Sequence, residues 1–179
     1  MSHPGDPTDT WPRGRARHGG VDEIPLPPRV AGRLWLAGRR FVGPDPEAAM
    51  RSVGASMIVC LCESFELAER YPAYVDWLDG PPGGTGGSGL WWPVPDLHAP
   101  PVESARSLVH ELAGHLGRGE GVLMHCGAGL GRAGTLAAAV LLHFGATLAE
   151  ALGTVAAARP GAGPEVGAQK DLLDALAGT

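Results

Sequence analysis

The chain has 179 residues, of which 44% are hydrophobic and 18% charged, as is typical of one globular domain with a sizeable core. Its formal net charge of -5 at pH 7 gives no general attraction for polyanions, so we expect neither nucleic acid nor a membrane surface as a partner. The sequence carries no recognisable secretory signal or membrane span, and its three scattered cysteines argue against a secreted disulfide framework. Together these features predict a cytoplasmic protein.

The first 28 residues mix Pro, Gly, Arg and charged side chains without apolar periodicity. We therefore expect residues 1–28 to form a disordered or loosely attached N-terminal arm, followed by one folded domain over residues 29–179. At the start of that domain, GRLWLAGR predicts a strand. Asp45 followed by Pro46 is then typical of a helix N-cap with proline at the first helical position, and a short helix should end near Val53.

The next segment, SMIVCLCES, is a continuous apolar run of strand length. Such a run predicts a strand covered on both faces within a parallel sheet. A helix over 66–78, interrupted near Pro72, should follow it. The glycine-rich stretch PPGGTGGSG over 81–89 predicts a flexible linker inside the domain.

The remaining part of the chain alternates between strand and helix patterns. A strand is predicted in LWWPVP and a buried strand in GVLMHC. Helices are predicted over 102–116, 133–144 and 165–176. A further helix should begin at a capping box formed by Thr147 and Glu150 and end at about residue 159. Strands alternating with helices predict an α/β fold with a central, mostly parallel sheet flanked by helices.

A glycine-rich turn, CGAGLGR, joins the strand GVLMHC to the helix that follows it. Such a turn presents unpaired backbone N–H groups and the positive end of a helix dipole, which together bind a phosphate dianion. Cys126 begins the turn and Arg132 lies six positions later. The amides and the guanidinium should favour the reactive thiolate of Cys126, and the planar fork of Arg132 can hold two oxygens of a transferring phosphoryl group.

The string HCGAGLGRAGT resembles the phosphate-binding loop of the protein tyrosine phosphatase superfamily, and most of all its dual-specificity and kinase-associated branch. The resemblance implies a cysteine phosphatase fold, a phosphocysteine intermediate on Cys126, a supporting role for His125 in orienting the loop, and no metal or other cofactor. The implied phosphate-binding residues are Gly127, Ala128, Gly129, Leu130, Gly131 and Arg132.

Two further segments are similar to the same family. Its members carry a general-acid aspartate about thirty residues before the cysteine, and VPDLHAP places Asp96 at that distance, since 126 − 96 = 30. A carboxylic acid there can protonate the leaving oxygen and later activate water. Near the end of the chain, RPGAGPEVGAQ is similar to the segment that supplies a water-positioning glutamine, which makes Gln169 the candidate for that role.

One residue departs from the family pattern. The position after the loop arginine usually carries Ser or Thr, whose hydroxyl helps the thiolate leave when phosphocysteine is hydrolysed, whereas this chain has Ala133. Thr135 lies two residues further on and should project from a different side of the helix. We therefore expect slower breakdown of the intermediate, with activity retained.

The resemblance predicts a protein phosphatase acting on phosphoproteins or phosphopeptides, with tyrosine-only or dual specificity. The alternatives are a catalytically weakened phosphate-binding or substrate-trapping module, and a phosphatase for phosphoinositides or other small phosphate esters. The uncharged side chains of residues 127–131 disfavour a polyanionic head group. A sulfur transferase fits Asp96 and Arg132 less well. For Cys60 and Cys62 a packing role is favoured, the alternative being a reversible disulfide that protects Cys126.

Overall fold

The computed structural model describes residues 18–80 and 88–178. Within these ranges the strands are β1 (Val21–Ile24), β2 (Arg33–Gly38), β3 (Met57–Cys60), β4 (Ser88–Trp91) and β5 (Gly121–Cys126). The helices are α1 (Arg39–Val42), α2 (Pro46–Val53), α3 (Ser64–Ala68), α4 (Pro72–Asp79), α5 (Val102–Gly117), α6 (Gly131–His143), α7 (Leu148–Ala158) and α8 (Gly167–Ala177). None of the described helices combines the length and apolar character needed to cross a bilayer.

The five strands form one sheet in the order β1-β2-β5-β3-β4. All neighbouring pairs are parallel except β1 with β2, which is antiparallel. The predicted mostly parallel sheet is therefore confirmed. Because β5 is central, its carboxyl end at Cys126 lies between the ends of β2 and β3, which is where parallel sheets usually place a ligand site.

Both faces of the sheet are covered by helices. One core packs α5, α6, α7 and α8 against one face of the sheet and includes Cys126. The second core packs α1 to α4 against the opposite face. Successive strand residues point to opposite faces, so Cys60 and Leu123 belong to the second core while Val59 and Met124 belong to the first.

Helix α6 is the most deeply buried helix of the domain, with every residue from Gly131 to Leu141 buried. Its many alanines and glycines let the neighbouring backbone approach closely. A side chain at Gly134, for example, would collide with the backbone at Ala162 and Gly163. This close packing fixes the amino end of α6, which carries the glycine-rich turn.

Several local predictions are confirmed. Asp45 caps α2 by accepting a hydrogen bond from the Ala48 N–H at 2.9 Å, and the helix ends at Gly54, whose φ of 72° suits glycine. Thr147 and Glu150 form the predicted capping box. The interruption near Pro72 is a break between two helices, α3 and α4, because proline starts a helix more readily than it continues one.

The predicted boundary of the N-terminal arm needs correction. Val21–Ile24 is the edge strand β1, paired with β2, and Ile24 is 1% exposed in the first core, so the folded domain begins before residue 29. A segment of four residues, two of them acidic, shows too little apolar–polar alternation to predict a strand from the sequence. Pairing with β2 in the tertiary structure stabilises this strand. Residues 1–17 lie outside the described residues, as does most of the predicted linker, of which 88–89 belong to β4.

Candidate active site

Cys126 lies at the carboxyl end of β5 and lines a cavity of about 540 Å³. The residue is 3% exposed. The turn from Gly127 to Arg132 leads directly into α6 and forms one side of the cavity. The structure thus brings Cys126 and Arg132, predicted from one motif, and Asp96, predicted from a second, to one cavity. Its other lining residues include Gly38, Arg39, Glu66, Leu97, Leu130 and Glu165.

The backbone of the turn is held by hydrogen bonds to its carbonyl groups. The Gly127 carbonyl accepts from the Arg39 N–H at 3.1 Å. The carbonyls of Ala128 and Gly129 both accept from the Arg159 guanidinium, each at 2.9 Å. Three successive carbonyls are therefore engaged by partners outside the turn. Within the described ranges, the N–H groups of residues 127–130 meet no backbone acceptor, so they remain available to an anion.

Gly129 shows why the turn needs glycine. Its φ of 75° lies in the left-handed region, and a Cβ at this position would collide with the carbonyl of Ala37 in β2. Both observations exclude a larger residue. The close contact with β2 also fixes the depth at which the turn lies against the sheet.

Arg159 holds the turn through contacts that the sequence analysis did not predict. Besides its two bonds to the turn, its Nη1 makes a 2.6 Å ion pair with Asp22 of β1. Burial lowers the pKa of Arg159, while the nearby Cys126 thiolate acts in the opposite direction. The only signal in the sequence was its place in RPGAGPEVGAQ, which gave no hint of a partner 137 residues away.

Arg132 is held in place by Glu66 of α3. Its two terminal nitrogens donate to the two carboxylate oxygens at 2.7 and 2.9 Å, the bidentate geometry that arginine favours. Nη1 also donates to the Val94 carbonyl at 2.8 Å. Burial opposes the charge of Arg132, but Glu66 and Cys126 raise its pKa, and it stays a cation. Burial by itself would raise the pKa of Glu66. The hydrogen bonds from Arg132 act in the opposite direction and outweigh burial, so the net effect is a lowered pKa.

The third nitrogen of the Arg132 guanidinium, Nε, has no hydrogen-bond partner among the described residues. Among the described residues, Arg132 Nε is the one buried side-chain nitrogen or oxygen atom without a hydrogen bond. An unpaired buried donor costs free energy unless a ligand satisfies it. Because Arg132 lines the cavity that contains Cys126, an anion bound there would lie close to this guanidinium.

Asp96 lies at the mouth of the cavity, where its side chain is 65% exposed and its Oδ1 is 3.3 Å from Arg132 Nη2. The adjacent Leu97 has a φ of 57°, unusual for a residue other than glycine. His98 turns back to bond the Asp96 carbonyl at 2.7 Å. This tight turn places the carboxyl group over the cavity.

His125 points away from the cavity into the second core, where it is fully buried. Its Nε2 is 2.7 Å from the Tyr74 hydroxyl, and its Nδ1 is 3.3 Å from the Cys126 carbonyl. The imidazole thus connects α4 to the backbone of the nucleophile. The predicted supporting role has a physical basis in these two contacts, and Tyr74 is a partner that the sequence did not reveal.

Gln169 is 1% exposed and is not among the residues that line the cavity. Its Oε1 accepts from the Glu165 N–H at 2.8 Å, and its Nε2 donates to the His98 carbonyl at 3.2 Å. Thr135 Oγ1 is 3.5 Å from the same Oε1, so its hydroxyl lies away from Cys126, as expected. Gln169 therefore links the Asp96 turn to Glu165, a carboxylate that does line the cavity.

All three cysteines have free thiols. Cys60 and Cys62 are buried in the second core, whereas Cys126 belongs to the first. Contact with Cys60, together with burial, raises the pKa of the Cys62 thiol, which makes it a poor nucleophile. Their placement favours the packing interpretation over a disulfide to Cys126.

Comparison with known proteins agrees with this geometry. Residues 42–168 match the family model PTP-SAK, described as the phosphatase domain, of dual-specificity type, of "Swiss Army Knife" proteins. No curated protein sequence matches the chain.

Several solved structures share the fold. The active form of Tk-PTP is 27% identical with a TM-score of 0.67, covering 94% of this chain and 99% of that one. A glycine-to-alanine mutant form of Tk-PTP is 30% identical with a TM-score of 0.66, covering 82% and 91%. Kinase-associated phosphatase with its catalytic-site cysteine replaced by serine is 23% identical with a TM-score of 0.73, covering 89% and 96%.

The fold and the family match define the class as a phosphatase domain of the dual-specificity type within the protein tyrosine phosphatase superfamily. Within that class, the chain belongs to the PTP-SAK family. The resemblance in the sequence and the predicted fold class are both confirmed.

Proposed function

We propose that the protein hydrolyses phosphomonoesters of phosphoproteins or phosphopeptides through a phosphocysteine on Cys126. In the first step the thiolate attacks phosphorus, the P–O bond to the substrate breaks, and Asp96 gives its proton to the leaving oxygen. In the second step Asp96 takes a proton from water, which attacks the phosphocysteine and releases phosphate and the thiolate. No metal or other cofactor takes part in either step.

The observation that carries this proposal is that Cys126, Asp96 and the buried guanidinium of Arg132, whose Nε–H has no partner, line one cavity. The free amides of residues 127–130 add donors to the same cavity. These donors can hold the three equatorial oxygens of a phosphoryl group in its transition state. Kinase-associated phosphatase, which has a similar fold, carries a cysteine in its catalytic site, and this supports the role given to Cys126.

The mouth of the cavity supports a peptide-borne aryl phosphate as one substrate. Leu97, which lines the cavity, is 54% exposed. Phe65, the residue before the cavity-lining Glu66, is 72% exposed. Among the described residues, these two are the large hydrophobic side chains that are exposed. Exposed apolar side chains beside a polar cavity favour contact with an apolar group of the substrate. Free thiols fit a cytoplasmic location, which is part of this proposal.

Gln169 has a positioning role in this proposal. Its amide is engaged by Glu165 and His98, so it acts on the hydrolytic water through the turn that carries Asp96. Because Gln169 does not line the cavity, the predicted direct contact with the hydrolytic water would require its side chain to move.

Replacing Asp96 with asparagine should lower kcat by about 100-fold for phenyl phosphate, because the phenolate leaves without a proton. The loss should be much smaller for an aryl phosphate whose phenol is strongly acidic, since that group needs no proton. Steady-state rates on the two substrates measure the difference. Asp174→Asn, an exposed change on α8, is the matched control and should alter neither rate. An equal loss on both substrates would contradict the general-acid role.

The test of the phosphocysteine uses Ala133. Because no hydroxyl lies at this position, we expect a pre-steady-state burst of alcohol product followed by a slower steady state limited by hydrolysis of the intermediate. Ala133→Ser should raise the steady-state rate about tenfold, which corresponds to one hydrogen bond to a charged sulfur. Rapid quench should recover phosphate covalently attached to Cys126. Absence of the attached phosphate would overturn the proposed mechanism.

A further inference from the structure

A group of metal-ligating side chains lies in the second core, and none of its members lines the catalytic cavity. Cys60, Cys62 and His125 each place one donor atom within 4.8 Å of the other two. All three residues are fully buried. This group is separate from the reacting atoms at Cys126, and the mechanism above uses neither thiol.

The backbone explains why these donors converge. Cys60 and Cys62 are two residues apart, so both side chains leave the same side of the chain. Cys60 is the direct partner of His125 in the parallel pairing of β3 with β5. The Leu61 N–H donates to the His125 carbonyl at 3.0 Å, which continues the pairing to the residue before Cys62. The convergence is therefore a property of the sheet.

The spacing is close to that of a zinc site. With Zn–S bonds of about 2.3 Å and Zn–N bonds of about 2.0 Å, tetrahedral geometry places donors roughly 3.5 to 3.8 Å apart. Donors within 4.8 Å of one another need shifts of roughly 1 Å or less to reach it. Two thiolates and one imidazole are also a donor set that suits Zn²⁺.

A fourth donor lies beside the three. The Tyr74 hydroxyl is 2.7 Å from His125 Nε2, and Tyr74 is 1% exposed. If Nε2 binds the ion, the hydroxyl loses this hydrogen bond and can turn its oxygen to the metal. A buried site with four protein donors would leave no position for water or substrate, which is characteristic of structural zinc.

We propose that Cys60, Cys62 and His125 bind one Zn²⁺ ion, with the Tyr74 oxygen in the fourth position. Binding releases one proton from each thiol and displaces the water ligands of the hydrated ion. It forms two Zn–S bonds, one Zn–N bond and one Zn–O bond to the neutral Tyr74 hydroxyl, and it changes no oxidation state. Because the donors are enclosed, the ion enters as the chain folds. It would join β3, β5 and α4 directly beneath the catalytic loop.

The test uses the full chain carrying Cys126→Ser, which removes the reactive thiol as a competing ligand and makes the result independent of phosphatase activity. The protein is refolded with Zn²⁺, desalted and analysed for metal, and X-ray absorption counts the sulfur ligands. The proposal predicts one Zn²⁺ per chain with two sulfur ligands, and a higher thermal unfolding midpoint than the metal-free protein. Refolding with Co²⁺ should give thiolate-to-metal charge-transfer absorption.

Two variants in the same background complete the test. Cys62→Ser should lose the bound ion, with circular dichroism used to verify its fold. His143→Ala removes one ring of the His110–His143 pair, another place where Zn²⁺ could bind, and should retain the ion. The proposal is overturned if the parent retains no zinc, if the zinc has fewer than two sulfur ligands, or if His143→Ala loses it. The parent's sulfur count decides the matter even where Cys62→Ser does not fold.

Discussion

Replacing Cys126 with serine should reduce kcat/KM for an aryl phosphate by about 10⁴-fold or more, which corresponds to at least about 5.5 kcal/mol of transition-state stabilisation. A serine hydroxyl ionises far less readily than a thiol, so the attacking species is lost. The donors of the cavity are untouched, because they are the amides of the turn and the guanidinium of Arg132. Steady-state hydrolysis measures the loss.

The same variant provides its own control. Binding of inorganic phosphate, measured by calorimetry, should stay within a few-fold of the native affinity, because the anion contacts the donors of the turn. Retained binding together with lost hydrolysis separates the nucleophile from the phosphate site. Hydrolysis within tenfold of the native rate would rule out Cys126 as the nucleophile.

The second large effect is expected at Arg159. Replacing it with methionine leaves the Asp22 side chain, which is 11% exposed, without this cation and removes both donors to the carbonyls of Ala128 and Gly129. Loss of one member of a buried ion pair costs about 3 kcal/mol, so the free energy of unfolding should fall by roughly that amount. A turn freed from these bonds should also lose about 100-fold in kcat/KM, because misplaced donors stabilise the transition state poorly.

Two variants separate the contributions of Arg159. Asp22→Asn removes the charge of the carboxylate but leaves the bonds to the turn, so stability should fall while kcat/KM changes little. Arg33→Met removes an exposed pair with Glu23, whose side chains are 58% and 42% accessible, and should lower stability much less than Arg159→Met does. Urea unfolding and aryl phosphate kinetics are the measurements. If Arg159→Met kept native kcat/KM, the proposed support of the turn would be wrong.

The elements that were predicted well are those with a local cause. The helix over 46–53 has a capping aspartate, a proline and a terminal glycine close to one another in the sequence. Similarly, the strands at Arg33–Gly38 and Gly121–Cys126 are apolar runs whose burial requires no knowledge of the partner strand. By contrast, Val21–Ile24 became a strand because β2 offered an open edge, and nothing within its four residues encodes that edge.

The sequence by itself determined the turn from Cys126 to Arg132, because its chemistry depends on six consecutive peptide units and on glycine at fixed positions. It also indicated Asp96, through its distance from the cysteine. Only the tertiary structure decided what holds these groups: Glu66 bonds Arg132 across 66 positions, and Asp22 bonds Arg159 across 137. A buried charge must find a partner, yet that requirement does not specify which part of the chain supplies it. The packing of the sheet and helices makes the choice.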